Sequence, residues 1–265
     1  MYRGKIMSTL RGWIYYIVLA LTLIPLAIAL IILYPASLSL RYRLATGWAG
    51  FMLKVGEVIC GMRYQFKGLE NFPTDDSPLL ILSKHQSAWD IFALGAIIPH
   101  QTSFVYKKEL HYVPVFGQAL ATLHMMAIDR KKGSRAYEQF MHQGQQFLQK
   151  GWWLAMFPEG TRTAPGQKTH YKSGGARFAV ATGTPIIPIA LNSGECWPRN
   201  SISKTPGLIT VCIGPKIETK NRTFEDVQQQ LVGWIEGQMH EISPEAYSGR
   251  ITNEFEASPK EKGAH

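Results

Sequence analysis

The sequence predicts an α/β fold: a mixed, largely parallel sheet flanked by helices, preceded by an N-terminal membrane-embedded helix or two-helix hairpin. Three observations carry this expectation. Residues Gly12 to Leu40 contain no charged side chain. After Met62, short apolar runs alternate with segments of helical periodicity, the pattern of strands covered on both faces. Chemistry-bearing residues cluster where the apolar runs end, which is where open α/β sheets bind ligands.

The 265 residues suffice for one large domain and an anchor. They divide into a membrane anchor over 1–62, an α/β domain over 63–242 and a polar tail over 243–265. The last residues of the tail have the composition of disordered chain. Lys and Arg total 28 against 19 Asp and Glu, a formal charge of +9. That excess suits nucleic acid, anionic lipid or a phosphorylated substrate alike. Its distribution says more. The first acidic residue is Glu57, so Arg3, Lys5, Arg11, Arg41, Arg43 and Lys54 stand unopposed. Nucleic-acid binding lacks any recognisable reading motif and leaves the anchor unexplained. Cys60, Cys196 and Cys212 show neither metal spacing nor a disulfide framework. They read as small buried apolar residues, and no metal site is expected.

The anchor centres on Trp13 to Tyr34. At about 1.5 Å per residue it is long enough to cross roughly 30 Å of hydrocarbon. Trp13, Tyr15, Tyr16 and Tyr34 suit interfacial positions. Pro25 kinks the helix and Pro35 ends it. A cleaved signal peptide is the competing reading. The run exceeds the usual apolar core of about 7–15 residues, and Leu38-Ser39-Leu40 is a poor cleavage site. Basic residues at both ends leave the orientation open. From Leu44 to Met62 the chain is again apolar, with Trp48, Phe51, Met52, Val55, Val58 and Ile59 near helical spacing. Lys54 and Glu57 fall on the polar side. A hairpin returning along the interface is favoured over a single span.

Strands are expected at Arg63–Lys67, Pro78–Leu82, Thr102–Tyr106, Met125–Ile128, Trp153–Phe157, Ile186–Leu191 and Leu208–Ile213. Helical patterns run near Ser87–Ile98, Val115–Leu123, Ser134–Lys150, Gly174–Thr182 and Thr223–Glu241. Pro188 places its strand at an edge or a bulge.

The run Lys84-His85-Gln86-Ser87-Ala88-Trp89-Asp90 follows a strand. Ser87 and Asp90 fit a helix-capping box, which accounts for Asp90 but not for His85. A base with an orienting carboxylate accounts for both. On a continuous helix the offset of five residues would separate the two side chains by about 140°, so the pair requires a loop-to-helix junction. Phe157-Pro158-Glu159-Gly160-Thr161-Arg162 follows another strand. Gly160 permits close backbone approach. Thr161 adds a hydroxyl, and Arg162 offers a fork that matches phosphate oxygens. Glu159 is misplaced beside a phosphate unless it holds Arg162 or another basic side chain in position. Arg130, after Ala127-Ile128-Asp129, and Lys107, after Thr102–Tyr106, also stand at strand ends and are further candidates for ligand binding.

These blocks, in this order, resemble the glycerolipid acyltransferases, and most closely the bacterial 1-acyl-sn-glycerol-3-phosphate acyltransferase branch. The match runs roughly from Leu79 to Leu191. His85 and Asp90 stand at the family's H-x4-D motif. Ala127 to Arg130 match its second motif, Phe157 to Arg162 its third, and Thr184 to Ala190 its fourth. Phe104 to Leu110, with Pro114, Phe116 and Gly117, also resembles this branch. Lys84 departs from the asparagine that often precedes the histidine, and Ala127 from a bulkier residue.

The resemblance implies transfer of a fatty acyl group from an acyl thioester to the sn-2 hydroxyl of lysophosphatidic acid. His85 would be the general base and Asp90 its orienting partner. Arg130, Arg162 and Lys107, with Glu159, Gly160 and Thr161, would hold the phosphate and glycerol. The co-substrate would be an acyl carrier protein or coenzyme A thioester, with no further cofactor. A cytosolic donor puts the catalytic domain on the cytosolic face of a bacterial inner membrane. The unopposed basic residues favour anionic membrane lipids by about 1 kcal/mol each. Two alternatives stand beside this reading: another lyso-lipid acceptor, such as lyso-ornithine lipid or a lysophospholipid, and a lipid-binding protein without catalysis.

Overall fold

The computed structural model describes residues 2–129, 131, 133–167 and 169–248. Arg130 and positions 249–265 of the polar tail lie outside the described residues. Two long helices open the chain, α1 (Tyr2–Ile32) and α2 (Leu38–Cys60). The strands are β1 (Met62–Lys67), β2 (Leu80–Ser83), β3 (Thr102–Lys107), β4 (Met126–Ile128), β5 (Trp153–Met156), β6 (Ile186–Leu191) and β7 (Gly207–Ile213). Between and after them lie α3 (Trp89–Ile97), α4 (Phe116–Thr122), α5 (Ser134–Gln149), α6 (Gly174–Thr182), α7 (Phe224–Ile242) and the short α8 (Pro244–Tyr247).

The seven strands form one sheet in the order β1-β7-β6-β2-β5-β3-β4. Every neighbouring pair is parallel except β6 with β7. Side chains alternate between two apolar layers, as strand geometry requires. Ile81, Ile187 and Ile189 enter a core with Tyr15, Met52 and Trp89, beneath α1, α2 and α3. Leu80, Leu82 and Ile186 enter the opposite core with Phe140, Phe178 and Leu231, beneath α5, α6 and α7. Near-continuous burial of β2 and β6 follows from this double cover.

The helical hairpin is antiparallel. Trp48 Nε1 donates to Thr22 Oγ1 at 3.0 Å, and Cys60 Sγ contacts the Arg11 carbonyl at 3.6 Å. The first half of α1 docks on the loop before β7. Tyr15 and Tyr16 meet Trp197 edge-on, and the Lys204 ammonium lies between Tyr16 and Trp197 at 4.4 and 4.1 Å from the ring centres. Farther along, Ala27 and Leu30 pack on Ala119 and Leu123 of α4. The opposite face of α1 is apolar and exposed.

One expectation narrows to one of its two options, and two others change. Pro188 sits on an interior strand rather than an edge. The β6–β7 ladder runs from Ile189↔Ile213 to Leu191↔Val211 and resumes at Ile186↔Ile217. One extra residue is accommodated on the β7 side between those points, a bulge. Gly214 N donates to the Pro188 carbonyl at 2.8 Å there, so the missing proline N–H falls where the ladder is interrupted. The helix expected from Ser87 begins at Trp89, because residues 84–88 form the strand-to-helix junction. On α2 the apolar residues do not share one face: Met52 is buried, whereas Phe51 and Val58 are exposed. All three cysteines are free and buried.

Helix α5 rests on the sheet through Gly144. A Cβ there would lie 2.6 Å from Phe178 and 3.3 Å from Leu154, inside a packed layer that has no room for it. Gly144→Ala is expected to destabilise the fold by about 1–3 kcal/mol through overpacking. Denaturant unfolding of the purified protein checks this; an unchanged midpoint would contradict it.

Candidate active site

Four parallel strands, β2, β3, β4 and β5, end on the same edge of the sheet, together with β6. Because they are parallel, the residues that follow them share that edge. His85 follows β2, Lys107 ends β3, the Glu159–Arg162 turn follows β5, and Ser193 follows β6. The sequence blocks thus meet by topology, although they are far apart in the chain.

Asp90 is wholly buried in the first turn of α3 and accepts four hydrogen bonds. His85 Nδ1 donates to Oδ2 at 2.8 Å. The backbone N–H groups of Gln86 and Ser87 reach the same oxygen at 2.8 and 2.9 Å. The Ser193 hydroxyl donates to Oδ1. One carboxylate therefore caps the helix and orients the imidazole, so the two readings of Asp90 describe one arrangement. Because a carboxylate only accepts, Nδ1 carries the proton and Nε2 is the basic nitrogen. The His85 ring stacks on Phe157 with centres 3.8 Å apart and planes 14° from parallel. Its side chain keeps 15% exposure, enough to be reached.

Phe157 and Ala88 also form part of the wall of an apolar cavity of about 370 Å³. Leu23, Leu26 and Leu30 of α1 line it, with Phe104 of β3 and Leu120 of α4. The N-terminal helix thus supplies one side of a cavity that begins beside His85.

The turn after β5 carries Gly160 at φ 70°, a left-handed conformation that suits glycine. A Cβ there would lie 3.1 Å from Lys172 Nζ, so the lysine side chain passes directly over the turn. Thr161 is exposed and Arg162 half-buried. The Arg162 carbonyl accepts from Arg199 at 3.1 Å. The Arg162 guanidinium makes no hydrogen bond or ion pair among the described residues, and is available to an anion. Lys107 is more than half exposed and pairs with Glu109 at 3.4 Å.

Glu159 turns inward. Its carboxylate is buried against Lys84 Nζ at 2.9 Å and accepts from Thr163 Oγ1 at 2.7 Å. The basic side chain it holds is therefore Lys84, not Arg162. Lys84 also meets Glu236 Oε1 at 2.9 Å and Tyr171 OH at 3.1 Å. Burial alone would push the lysine down, but Glu159 and Glu236 outweigh it and hold its pKa above the ordinary value. Burial likewise raises the Glu159 carboxyl, against the pull of Lys84, and holds the Tyr171 phenol well above its usual range.

Ser193, Thr163, Glu236, Tyr171 and Lys172 lie in no recognisable sequence pattern. Only the Lys84 departure from the family motif hinted at this network. The backbone amides of Gln86, Ser87 and Gly160 are engaged within the protein, which removes them as ready oxyanion donors. Among the described residues no cluster has the composition of a metal site.

A family model described as "Acyltransferase" matches residues 63–192. The chain is 42% identical over 208 residues to a 1-acyl-sn-glycerol-3-phosphate acyltransferase of Pseudomonas aeruginosa, covering 77% of this chain and 80% of that protein. It is 30% identical over 164 residues to the enzyme of the same name from Cocos nucifera, covering 62% and 53% respectively. The solved structure of the 1-acyl-sn-glycerophosphate (LPA) acyltransferase of Thermotoga maritima matches with a TM-score of 0.74. It covers 94% of this chain and 98% of its own at 19% identity, a likeness of fold. By the match to the Pseudomonas enzyme, the chain belongs to the 1-acyl-sn-glycerol-3-phosphate acyltransferases.

Proposed function

We propose that the protein moves a fatty acyl group from an acyl thioester to the sn-2 hydroxyl of lysophosphatidic acid, giving phosphatidic acid. The observation that carries this reading is the His85–Asp90 pair beside an apolar cavity, with the uncommitted Arg162 guanidinium on the same sheet edge. An acyl chain fits the cavity, a phosphate fits the arginine, and the base stands with both on that edge.

In this mechanism Nε2 of His85 takes the hydroxyl proton as the oxygen attacks the thioester carbonyl carbon. Asp90 stabilises the imidazolium that forms, as a buried carboxylate does for a catalytic histidine. When the tetrahedral intermediate collapses, the carbon–sulfur bond breaks. The imidazolium then returns its proton to the leaving thiolate. The substrate oxygen is the nucleophile, so no acyl-enzyme forms. Arg162, with Arg130 and Lys107 as further cations, neutralises the phosphate and fixes the hydroxyl near the base. The thiol of acyl carrier protein or coenzyme A leaves into the cytosol.

The membrane completes the site. Leu10, Ile14, Ile17, Leu21, Ile24 and Ile28 of α1 are exposed at alternating three- and four-residue spacing. That spacing makes one apolar stripe along the helix. On α2, Leu44, Phe51 and Val58 are exposed seven residues apart. Helix α1 has the length and apolar composition of a membrane span, with mean hydropathy 2.6 over an 18-residue window within Ile6–Ile32. Lipid contact along these faces would hold the site at the bacterial inner membrane, cytosolic side, where a lyso-lipid acceptor resides.

Turnover with lysophosphatidic acid and an acyl thioester tests the chemistry. His85→Ala should lower kcat by about 10²–10⁴-fold, the usual worth of a general base; activity within a few-fold of wild type would exclude that role. For Arg162→Ala the expected change is a higher KM for lysophosphatidic acid, by about tenfold or more for one lost charge-assisted contact. An unaltered acceptor dependence would remove Arg162 from the phosphate site. Vesicle flotation checks the anchor: replacing Ile17, Leu21 and Ile24 together with Glu should release most of the protein from phosphatidylglycerol-containing vesicles, and undiminished flotation would count against the stripe.

A further inference from the structure

We propose that Lys84 is a positioning residue for acyl transfer, its buried ammonium locking the turn that carries Arg162 onto the backbone of His85. The proposal rests on the acyl-transfer reading above and deepens it.

Lys84 directly precedes the base, and its side chain is completely buried. Lysine is almost never buried without partners. Here the ammonium pairs by charge with Glu159 Oε1 from the turn after β5, and donates hydrogen bonds to Glu236 Oε1 from α7 and the Tyr171 hydroxyl from the loop before α6. Tyr171 in turn donates to Glu236 at 2.5 Å. Tyr247 of α8 is a further titratable group that interacts electrostatically with Lys84.

The connections form a closed circuit. Lys84 holds one oxygen of Glu159, and Thr163 Oγ1 donates to the other at 2.7 Å. The Thr163 backbone N–H then donates to the His85 carbonyl at 2.9 Å. Lys84 and His85 are adjacent, so the circuit closes through one peptide bond. Its base end is pinned as well, because Lys84 N donates to the Ile189 carbonyl of β6 at 2.8 Å. Arg162 immediately precedes Thr163 and moves with it. The placement of the anion-binding turn relative to the base thus depends on one neutralised carboxylate.

A buried ion pair is weak evidence for stability, since an apolar residue of similar size often serves as well. Its position beside the base gives it another use. Without the ammonium, the buried Glu159 carboxylate would face the partly exposed Glu236 with no cation between them. Glu159 would then swing out or take up a proton, and Thr163 Oγ1 would keep only its longer bond to the His85 carbonyl, at 3.3 Å. A displacement of about 1 Å between base and acceptor can cost roughly 10²-fold in rate.

The test uses the full chain in mixed micelles with lysophosphatidic acid and acyl coenzyme A or acyl carrier protein. It compares wild type, Lys84→Met and Thr163→Val, with kcat scored per folded molecule and thermal midpoints measured alongside. The expected result is a fall in kcat of about tenfold or more for each variant, with the thioester KM within about twofold, because the acyl cavity is untouched. A purely structural role would lower the midpoint and leave kcat per folded molecule unchanged, and that result overturns the proposal. If Lys84→Met does not fold, Thr163→Val decides, since it keeps the shape of the side chain and both Lys84 ion pairs; wild-type kcat there overturns the proposal. A wild-type protein that does not acylate lysophosphatidic acid counts against the proposed function alone. The variants are then compared on the lyso-lipid the wild type does use.

Discussion

A single buried carboxylate organises the site. Asp90 lies where no water can solvate it, so its charge has to be met by donors from the protein. Two are backbone amides at the strand-to-helix junction, one is the His85 ring, and one is the Ser193 hydroxyl after β6. Each donor restrains something. The amides set the path of residues 85–87, the imidazole is held in one tautomer, and Ser193 ties the junction to a neighbouring strand. Basicity at Nε2 is thus a consequence of how the fold satisfies a charge it has buried.

The parallel sheet makes this arrangement possible. Strands that run the same way deliver their following loops to one edge, so His85, the Glu159–Arg162 turn and Ser193 meet without any long excursion of the chain. The exception also contributes. Antiparallel β7 takes the outer place beside β6, and the bulge opposite Pro188 lets a proline occupy an interior strand. The β6 end that carries Ser193 is thereby held between two neighbours.

The N-terminal hairpin packs into the α/β domain. Tyr15 and Met52 belong to the same core as Trp89 beside Asp90, and α1 lines the cavity next to His85. One side of α1 completes the protein while the other side is apolar and outward. A helix with two apolar faces calls for two apolar environments, and the protein core supplies one of them. That is why the amphipathic face expected for α2 split in the structure: Met52 answers to the core, Phe51 and Val58 to the outside.

Much of the fold was legible from local physics. Ile186–Leu191 and Gly174–Thr182 matched in both bounds, because apolar runs and helical periodicity report burial directly. The His85–Asp90 contact was legible as well, since a helix cap and a histidine–carboxylate hydrogen bond both span a few residues. What only the tertiary structure decided were contacts across long sequence separations. Ser193 is 103 residues from Asp90, and no short pattern could have paired them. In the sequence Lys84 stood out only as a departure from the asparagine that often precedes the histidine, and only the closure of α7 and the β5 turn around it showed an ammonium among two carboxylates and a phenol. Sequence determined which segments would be buried and which side chains carried chemistry, because those properties are local; the partners of each buried charge were decided by strand order, which is not.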